Sequence, residues 1–173
     1  MTGDSTPAAF AAVVYSPGSG DRKALQRFVE RLKASDVSVG GLLQEVVVDS
    51  AGVVSGFCAV DVSTGRRFPI TRPATRDDEC GLDVSALVET TGIVRNAIAE
   101  RPDLIVVEKF GDQEQNGKGL SDEILQTIAA GIPLLVAVPE AALPIWQERT
   151  GELGSVLDCS EEALEQWWHG LAQ

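Results

Sequence analysis

Residues 104–114 are Leu104-Ile105-Val106-Val107-Glu108-Lys109-Phe110-Gly111-Asp112-Gln113-Glu114, four consecutive apolar residues followed by a charged loop that contains a glycine. An apolar run of this length, without polar alternation, is typical of a parallel strand that helices cover on both faces. Residues 133–138 repeat the signal, and helical spacing over 121–130 lies between the two runs. This part of the chain therefore predicts an α/β domain with a mostly parallel sheet.

The N-terminal part extends this alternation. An apolar run at 11–15 leads through a glycine-rich turn into apolar residues at helical spacing over 25–32. Three extended segments then follow, at 39–48, 54–62 and 66–70. Because short turns join these segments, they predict a β-hairpin insertion after the first helix.

The C-terminal part predicts more helices and one more short strand. The polar segment 71–81 is a candidate functional lid, and further elements are predicted at 83–98, 141–149, 156–157 and 160–168. A chain of 173 residues suits one hydrophobic core. We therefore expect a single three-layer α/β/α domain over residues 1–173, with a flexible N-terminus at residues 1–9.

The charge balance disfavours several classes of partner. The chain has 14 basic and 26 acidic residues, for a formal net charge of −12 at pH 7. This charge repels nucleic-acid backbones and anionic membrane surfaces, whereas a few amides beside a local cation can still bind a small anion. No apolar run approaches the ~20 residues that span a bilayer, and the three cysteines form no CxxC pair. We expect a cytoplasmic protein with no nucleic-acid partner and no membrane insertion.

The loop 16–22 lies where nucleotide-binding α/β domains have a phosphate-binding loop, between a strand and a helix. A Walker A motif requires G-x-x-x-x-G-K-[ST], yet Asp21 and Arg22 follow the glycine that aligns with the second glycine of the motif. An aspartate repels a triphosphate, and an arginine cannot ligate Mg²⁺. We interpret the loop as a degenerate Walker A motif, with the candidate ligand-binding residues Ser16, Gly18, Ser19, Gly20 and Arg22. The commoner alternative is a simple turn in which Asp21 caps the next helix.

The segment 104–114 resembles the Walker B region of a P-loop nucleoside-triphosphatase family that includes thermophilic bacterial and human cancer-related enzymes. That family has apolar-Asp-Glu-Ile-Gly-Lys-Met-Glu at this place, and the similarity extends over residues 11–138, including the central hairpin. The resemblance implies a P-loop fold in which Glu108 corresponds to the acid that positions Mg²⁺ and Lys109 corresponds to the catalytic glutamate. A lysine ammonium cannot serve as a general base. Glu108 and Glu114, which matches the family pattern, are therefore the candidate catalytic residues.

The chain is also similar to a bacterial branch of this superfamily that is often encoded beside molybdenum-transport genes. That branch has Asn-Lys-Phe-Gly-Lys-x-Glu-x-x-Gly-x-Gly-Leu at this loop, and the matching residues here are Lys109-Phe110-Gly111, Glu114, Gly117 and Gly119-Leu120. The segment Cys80–Asp83 and the ending Trp167-Trp168 also fit the branch. The chain departs from it at Glu108, where the branch has Asn, and at Gly81, where it has Arg. The resemblance implies a fold and a genomic association but no particular reaction.

Three further side chains are candidates for ligand or metal binding. Lys109 and Lys118 flank the loop and could hold an oxyanion, or they could be solvated lysines. Cys80 lies beside a predicted helix start, where the helix dipole favours a thiolate, and it is a candidate metal ligand together with Glu108. A packed or merely exposed thiol is the alternative for Cys80.

The sequence favours a binding protein over an enzyme. We expect an accessory or regulatory protein that binds a nucleotide, with Mg²⁺, or a molybdate-like oxyanion, without hydrolysis, in molybdenum or metal-cofactor metabolism. One alternative is a slow Mg²⁺-dependent nucleotide phosphatase, a hydrolase of the nucleoside-triphosphatase type. The other is a protein-interaction module with a vestigial pocket, whose contact would be a protein partner or a second copy of the chain.

Overall fold

A computed structural model describes residues 9–16, 23–69, 84–108, 110 and 112–171. The strands are β1 Phe10–Tyr15, β2 Val39–Val48, β3 Val54–Asp61, β4 Arg67–Pro69, β5 Leu104–Val107, β6 Leu134–Pro139 and β7 Ser155–Asp158. The helices are α1 Ala24–Ala34, α2 Val84–Glu100, α3 Asp112–Gln115, α4 Ser121–Ala129, α5 Leu143–Thr150 and α6 Glu161–Leu171. A short 3-10 turn, Glu140–Ala142, joins β6 to α5.

The described strands form one seven-stranded sheet in the order β4-β3-β2-β5-β6-β1-β7. The strands β2, β5, β6, β1 and β7 pair in parallel, whereas β3 and β4 pair antiparallel at one edge. The predicted mostly parallel α/β sheet with a β-hairpin is therefore confirmed. The strand β2 belongs to the hairpin and to the central sheet at once, because its residues 39–42 pair with β5 and its residues 42–48 pair with β3.

Helices cover both faces of the sheet, which gives the three layers. Residues of each central strand alternate between two cores: Phe10 and Ala12 face a core with α2, α4 and α5, whereas Ala11 and Val13 face a core with α1 and α6. This period of two is the geometry of an extended strand, and it explains why β1, β5 and β6 are apolar at consecutive positions. All four residues of β5 are fully buried.

A glycine allows β2 and β5 to approach. Gly41 has a φ of +108°, and a Cβ atom at this position would lie 2.0 Å from the carbonyl oxygen of Val106. No side chain fits there, and the backbone conformation itself favours glycine. Gly40, its neighbour, packs against Ala97 of α2. Gly41 therefore permits the close approach of β2 to β5, and Gly40 permits the approach of β2 to α2.

The helix α6 is tied to α1 by ion pairs. Glu161 accepts hydrogen bonds from Arg27 and Arg31 at 3.1 and 3.2 Å, and Glu165 pairs with Arg31 at 3.0 Å. The hydrogen bond from Arg27, aided by Arg31, lowers the pKa of Glu161. His169, in the last turn of α6, lies 3.3 Å from Glu165. These contacts join the second and the last elements of the described chain.

Several helix and strand boundaries differ from the sequence predictions by a few residues. The helix α1 begins at Ala24, and the residue before it is Lys23 rather than Asp21. Residues 112–115, predicted as loop, form the one-turn helix α3, and α6 continues to Leu171. Among the described helices, none combines the length and the apolar content that crossing a membrane would require.

Candidate functional site

Two loops of interest leave the same edge of the sheet. The strands β1 and β5 both pair in parallel with β6, which lies between them, and the register aligns Tyr15 with Pro139 and Val107 with Val136. Neighbouring strands are about 5 Å apart, and Pro139 lies three residues beyond Val136 on β6, so the ends of β1 and β5 are about 14 Å apart. The carboxyl ends of parallel strands are where α/β sheets bind ligands. The loops that follow Tyr15 and Val107 therefore border one candidate site.

Glu108 is the first residue after β5 and lies at this edge. Its carboxylate oxygen Oε1 accepts a hydrogen bond from the backbone amide of Gln44 at 2.7 Å, while its own amide donates to the carbonyl of Leu42 at 2.9 Å. The residue is half-buried. Both bonds fix Glu108 to β2, so a buried neighbour strand orients this carboxylate. Its assignment as a Mg²⁺-positioning acid stays a prediction.

Glu114 is buried and hydrogen-bonded within the loop that follows β5. Its side chain is fully buried, and Oε2 accepts a hydrogen bond from the amide of Leu120 at 3.0 Å. Its carbonyl accepts from the hydroxyl of Ser121 at 2.9 Å and from the amide of Gly117 at 3.1 Å. These bonds close the turn between α3 and α4. The arrangement favours a structural role for Glu114 over proton transfer to a bound ligand, because a general base must reach its substrate.

Lys118 and Ser16 are the other predicted ligand-binding residues within the described part of the chain. Lys118 is exposed in the turn that Glu114 closes, and its carbonyl accepts from the amide of Ser121 at 3.1 Å. Ser16 is half-buried and directly follows β1. The remaining predicted site residues lie outside the described residues: Gly18, Ser19, Gly20, Arg22, Lys109 and Cys80. The structure thus places Ser16 and Glu108 at one sheet edge and Lys118 on the loop that leaves that edge.

Two contacts of the loop were not predicted from the sequence. Phe110 is buried, and its ring meets the ring of Trp146 edge to face, with centroids 5.5 Å apart at 90°. Arg149 donates a hydrogen bond to the carbonyl of Gln115 at 2.9 Å. Trp146 and Arg149 are both on α5, more than thirty positions away from the loop along the chain. Their apolar and basic character gave no signal of which loop they would contact.

A buried carboxylate lies in the first turn of α4. The side chain of Glu123 is 2% exposed, and its Oε2 accepts no hydrogen bond, although Arg95 Nε lies 3.7 Å away. Burial raises the pKa of Glu123, and the neighbouring charge of Asp122 raises it further, whereas Arg95 opposes this shift. Within the described ranges, no group of three or more His, Cys, Asp and Glu residues could hold a metal ion.

Comparisons with known proteins agree with this architecture. A family model described as "Protein of unknown function (DUF2478)" matches residues 10–167. A protein of Bradyrhizobium diazoefficiens, "Molybdenum import ATP-binding protein ModC 2", is 38% identical over 163 residues. The match covers 94% of this chain but only 18% of that protein.

Two further relatives belong to the nucleoside-triphosphatases. "Nucleoside-triphosphatase THEP1" of Thermoplasma acidophilum is 28% identical over 136 residues, which cover 76% of this chain and 75% of that protein. The crystal structure of THEP1 from Aquifex aeolicus matches with a TM-score of 0.66 and 18% identity, over 88% of this chain and 91% of that chain. At this identity the structural match shows the fold, which is that of a P-loop nucleoside-triphosphatase.

Proposed function

The chain belongs to the DUF2478 family, and we propose that it binds a nucleotide or a small oxyanion without hydrolysing it, as an accessory or regulatory protein. The observation that carries this proposal is that the carboxyl ends of β1 and β5 lie at one edge of the sheet, with β6 between them. A glycine-rich loop that precedes a helix can offer amides to an anion at such an edge.

Binding is expected to use the amides of 16–22 together with basic side chains. The proposed ligands are Ser16, Gly18, Ser19, Gly20, Arg22, Lys109 and Lys118. Nucleotide with Mg²⁺ is one candidate ligand class, since relatives of this chain are named as nucleoside-triphosphatases and as an ATP-binding protein. A tetrahedral oxyanion such as molybdate is the other class. It needs only amides and one or two cations, which the two loops supply.

Two features support binding without hydrolysis. Asp21 stands where a Walker A motif has its phosphate-binding lysine, and Lys109 stands where the related enzymes have their catalytic glutamate. Glu114, the acid that remains in the loop, is buried and hydrogen-bonded to Leu120. A site built in this way can hold an anion, but it offers no evident base to activate water.

A link to molybdenum import is supported by one relative. The region that matches this chain is a fifth or less of a protein named for molybdenum import and ATP binding. We therefore propose that this protein assists or regulates molybdenum uptake or use.

The test is a thermal-shift screen against ATP, ADP, GTP, phosphate, sulfate, molybdate and tungstate, each with and without Mg²⁺. A ligand that binds only the folded state raises the free energy of unfolding by ~2.7 kcal/mol at 100 times its dissociation constant. We expect the melting temperature to rise with a nucleotide or with molybdate, and the rise to be lost in a Lys109→Ala, Lys118→Ala double variant. A melting temperature that no ligand raises would contradict the proposal.

A second candidate function is slow Mg²⁺-dependent phosphatase activity, and the position of Glu108 favours it. Glu108 lies at the carboxyl end of β5, where its carboxylate is held by the amide of Gln44. If this acid positions Mg²⁺, Glu108→Gln abolishes phosphate release from ATP. Glu114→Gln is the companion variant. If Glu114→Gln abolishes phosphate release and leaves the melting temperature unchanged, Glu114 is the base. If phosphate release is lost because the variant unfolds, Glu114 has a structural role.

A further inference from the structure

Arg149 reaches across from α5 to the loop that follows β5. Its Nη2 donates a hydrogen bond to the carbonyl of Gln115, the last residue of α3, at 2.9 Å. Arg149 is exposed, so this contact is not a by-product of core packing. A carbonyl at the end of a one-turn helix lacks a partner within that helix, and a charged donor satisfies it more strongly than a neutral donor does.

Gly117 leaves room for the guanidinium. A Cβ atom at Gly117 would lie 3.0 Å from Nη1 and 3.4 Å from Nη2 of Arg149. The φ of Gly117 is +79°, a conformation in which its amide reaches the carbonyl of Glu114. The planar group therefore lies against bare backbone at the turn that leads to Lys118. A lysine ammonium could donate one hydrogen bond here but could not make this flat contact.

A second side chain of α5 holds the beginning of the same loop. Trp146, one turn before Arg149, packs edge to face on Phe110. The side-chain amide of Gln115 in turn donates to the carbonyl of Phe110 at 3.1 Å. The loop from Phe110 to Gly117 is therefore attached to one face of α5 at two points, because residues three apart lie on the same face of a helix.

We propose that Arg149 is a positioning residue for the candidate site: it holds residues 112–117 of the loop after β5 against α5 and so fixes the proposed ligand-binding residue Lys118. The role in ligand binding rests on the proposed function, whereas the attachment of the loop does not. Without Arg149, the turn at Gly117 loses its hydrogen bond to α5 and samples more positions. The affinity for the ligand then falls by the fraction of time that the loop spends out of place.

The first measurement is amide hydrogen exchange in the free protein. Arg149→Ala should speed the exchange of the amides of Gly117, Leu120 and Ser121 by about tenfold, the lower end of what the loss of one charged hydrogen bond gives. The amide of Ile105 in β5 should be unchanged. Arg101→Ala is the matched control, because exposed Arg101 also donates to a backbone carbonyl, that of Ala130 at 3.0 Å, at the other end of α4.

A second variant changes the loop residue of the same contact. Gly117→Ala keeps the arginine but places a methyl group against its guanidinium, so it should also speed loop exchange. In the Arg149→Ala background, Gly117→Ala should have a smaller effect, because only the strain at the positive φ remains. Equal effects of Gly117→Ala in both backgrounds would show that the two residues do not act through each other, which would overturn the inference.

The third measurement is the affinity for Mg²⁺-ATP and for molybdate by calorimetric titration. Arg149→Ala should weaken the binding of the ligand that the wild type binds, by at most the factor by which loop exchange rises; Arg149→Lys should restore part of this loss, and Arg101→Ala should have no effect. Unchanged loop exchange in Arg149→Ala, or faster exchange with unchanged affinity, would overturn the role of Arg149. A wild-type protein that binds neither ligand would contradict the proposed function instead, and the ligand-positioning role would fall with it.

Discussion

Arg95 Nε lies 3.7 Å from Glu123 Oε2, and that buried oxygen accepts no hydrogen bond. The arginine is 64% exposed, so it keeps most of its water while the carboxylate has lost nearly all of its own. An ion pair with one desolvated partner and no hydrogen bond does not recover the cost of burial. The fold therefore carries a destabilising charge at the start of α4, directly after the loop of the candidate site.

Replacing this buried charge should stabilise the protein. Glu123→Met fills a similar volume without a charge and should raise the free energy of unfolding at pH 7 by about 1 kcal/mol. Glu89→Met is the control, because Glu89 is an exposed glutamate within α2. Urea unfolding measures both variants. A Glu123→Met variant that is less stable than the wild type would show that Glu123 has a stabilising partner.

The contribution of Glu123 to the free energy of unfolding should depend on pH. Because the pKa of Glu123 is raised in the folded state from its usual 4.5, the fold favours the protonated carboxyl. The stability that this group contributes is present below pH 4.5 and is lost as the pH rises through the raised pKa. The advantage of Glu123→Met over the wild type should therefore shrink as the pH is lowered toward 4.5, measured by urea unfolding across this range. A pH-independent advantage would contradict the shift.

Glu161 should show the opposite pH dependence. Arg27 and Arg31 lower its pKa in the folded state, so its contribution is present above the usual carboxyl value and is lost as the pH falls through the lowered value. Glu161→Gln should destabilise the protein at neutral pH and should have no effect in strong acid. Glu162→Gln, at an exposed neighbouring position, is the control. Thermal unfolding at several pH values separates the two variants, and equal effects in strong acid and at neutral pH would argue against the ion pair.

Gly41 should be intolerant of any side chain. Gly41→Ala places a Cβ 2.0 Å from the carbonyl oxygen of Val106 and forces an unfavourable φ, so it should cost at least about 3 kcal/mol or prevent folding. Gly52→Ala is a matched control at the tip of the β2–β3 hairpin, because its φ is also positive, +81°, but its surroundings are open. It should cost only about 1 kcal/mol. Similar losses in the two variants, measured by urea unfolding, would mean that backbone strain and not the contact with β5 dominates.

Phe110 should affect binding as well as stability. Phe110→Leu removes the edge-to-face contact with Trp146 and should cost about 1–2 kcal/mol. Phe10→Leu is the control, because Phe10 also packs on Trp146, at 6.4 Å, but belongs to β1 and not to the loop. We expect both variants to have a lower melting temperature than the wild type. Only Phe110→Leu should also weaken the affinity of the folded protein for its ligand. Equal affinities in the two variants would contradict a role of the Trp146 contact in the site.

The central strands could be predicted from the sequence because their signal is local. The residues of β5 were predicted at 104–107 from an uninterrupted apolar run, and this span is the one that the structure shows. The hairpin was also predicted, but the pairing of β2 with β5 was not, because it depends on the close approach that Gly41 permits. No pattern within residues 39–48 alone indicates which strand would lie beside them.

Only the position of the candidate site along the chain could be predicted from the sequence. The sequence predicted that loops after β1 and β5 carry the chemistry, and the parallel sheet brings both to one edge. The burial of Glu114 depends on the amide of Leu120, and the position of the loop depends on Arg149, 34 residues beyond Gln115. Contacts over such distances leave no periodic signal, so sequence patterns treated Glu114 as a candidate base and gave Arg149 no role.

The most direct test of non-hydrolytic anion binding is a calorimetric titration of the wild-type protein with Mg²⁺-ATP and with molybdate, followed by a phosphate assay on the ATP sample after prolonged incubation. We expect saturable binding of at least one of the two ligands and no release of phosphate above the rate in buffer. Saturable binding with phosphate release that Glu108→Gln abolishes would instead identify a phosphatase. The absence of binding to either ligand at millimolar concentration would contradict the proposed function and favour a protein-interaction module.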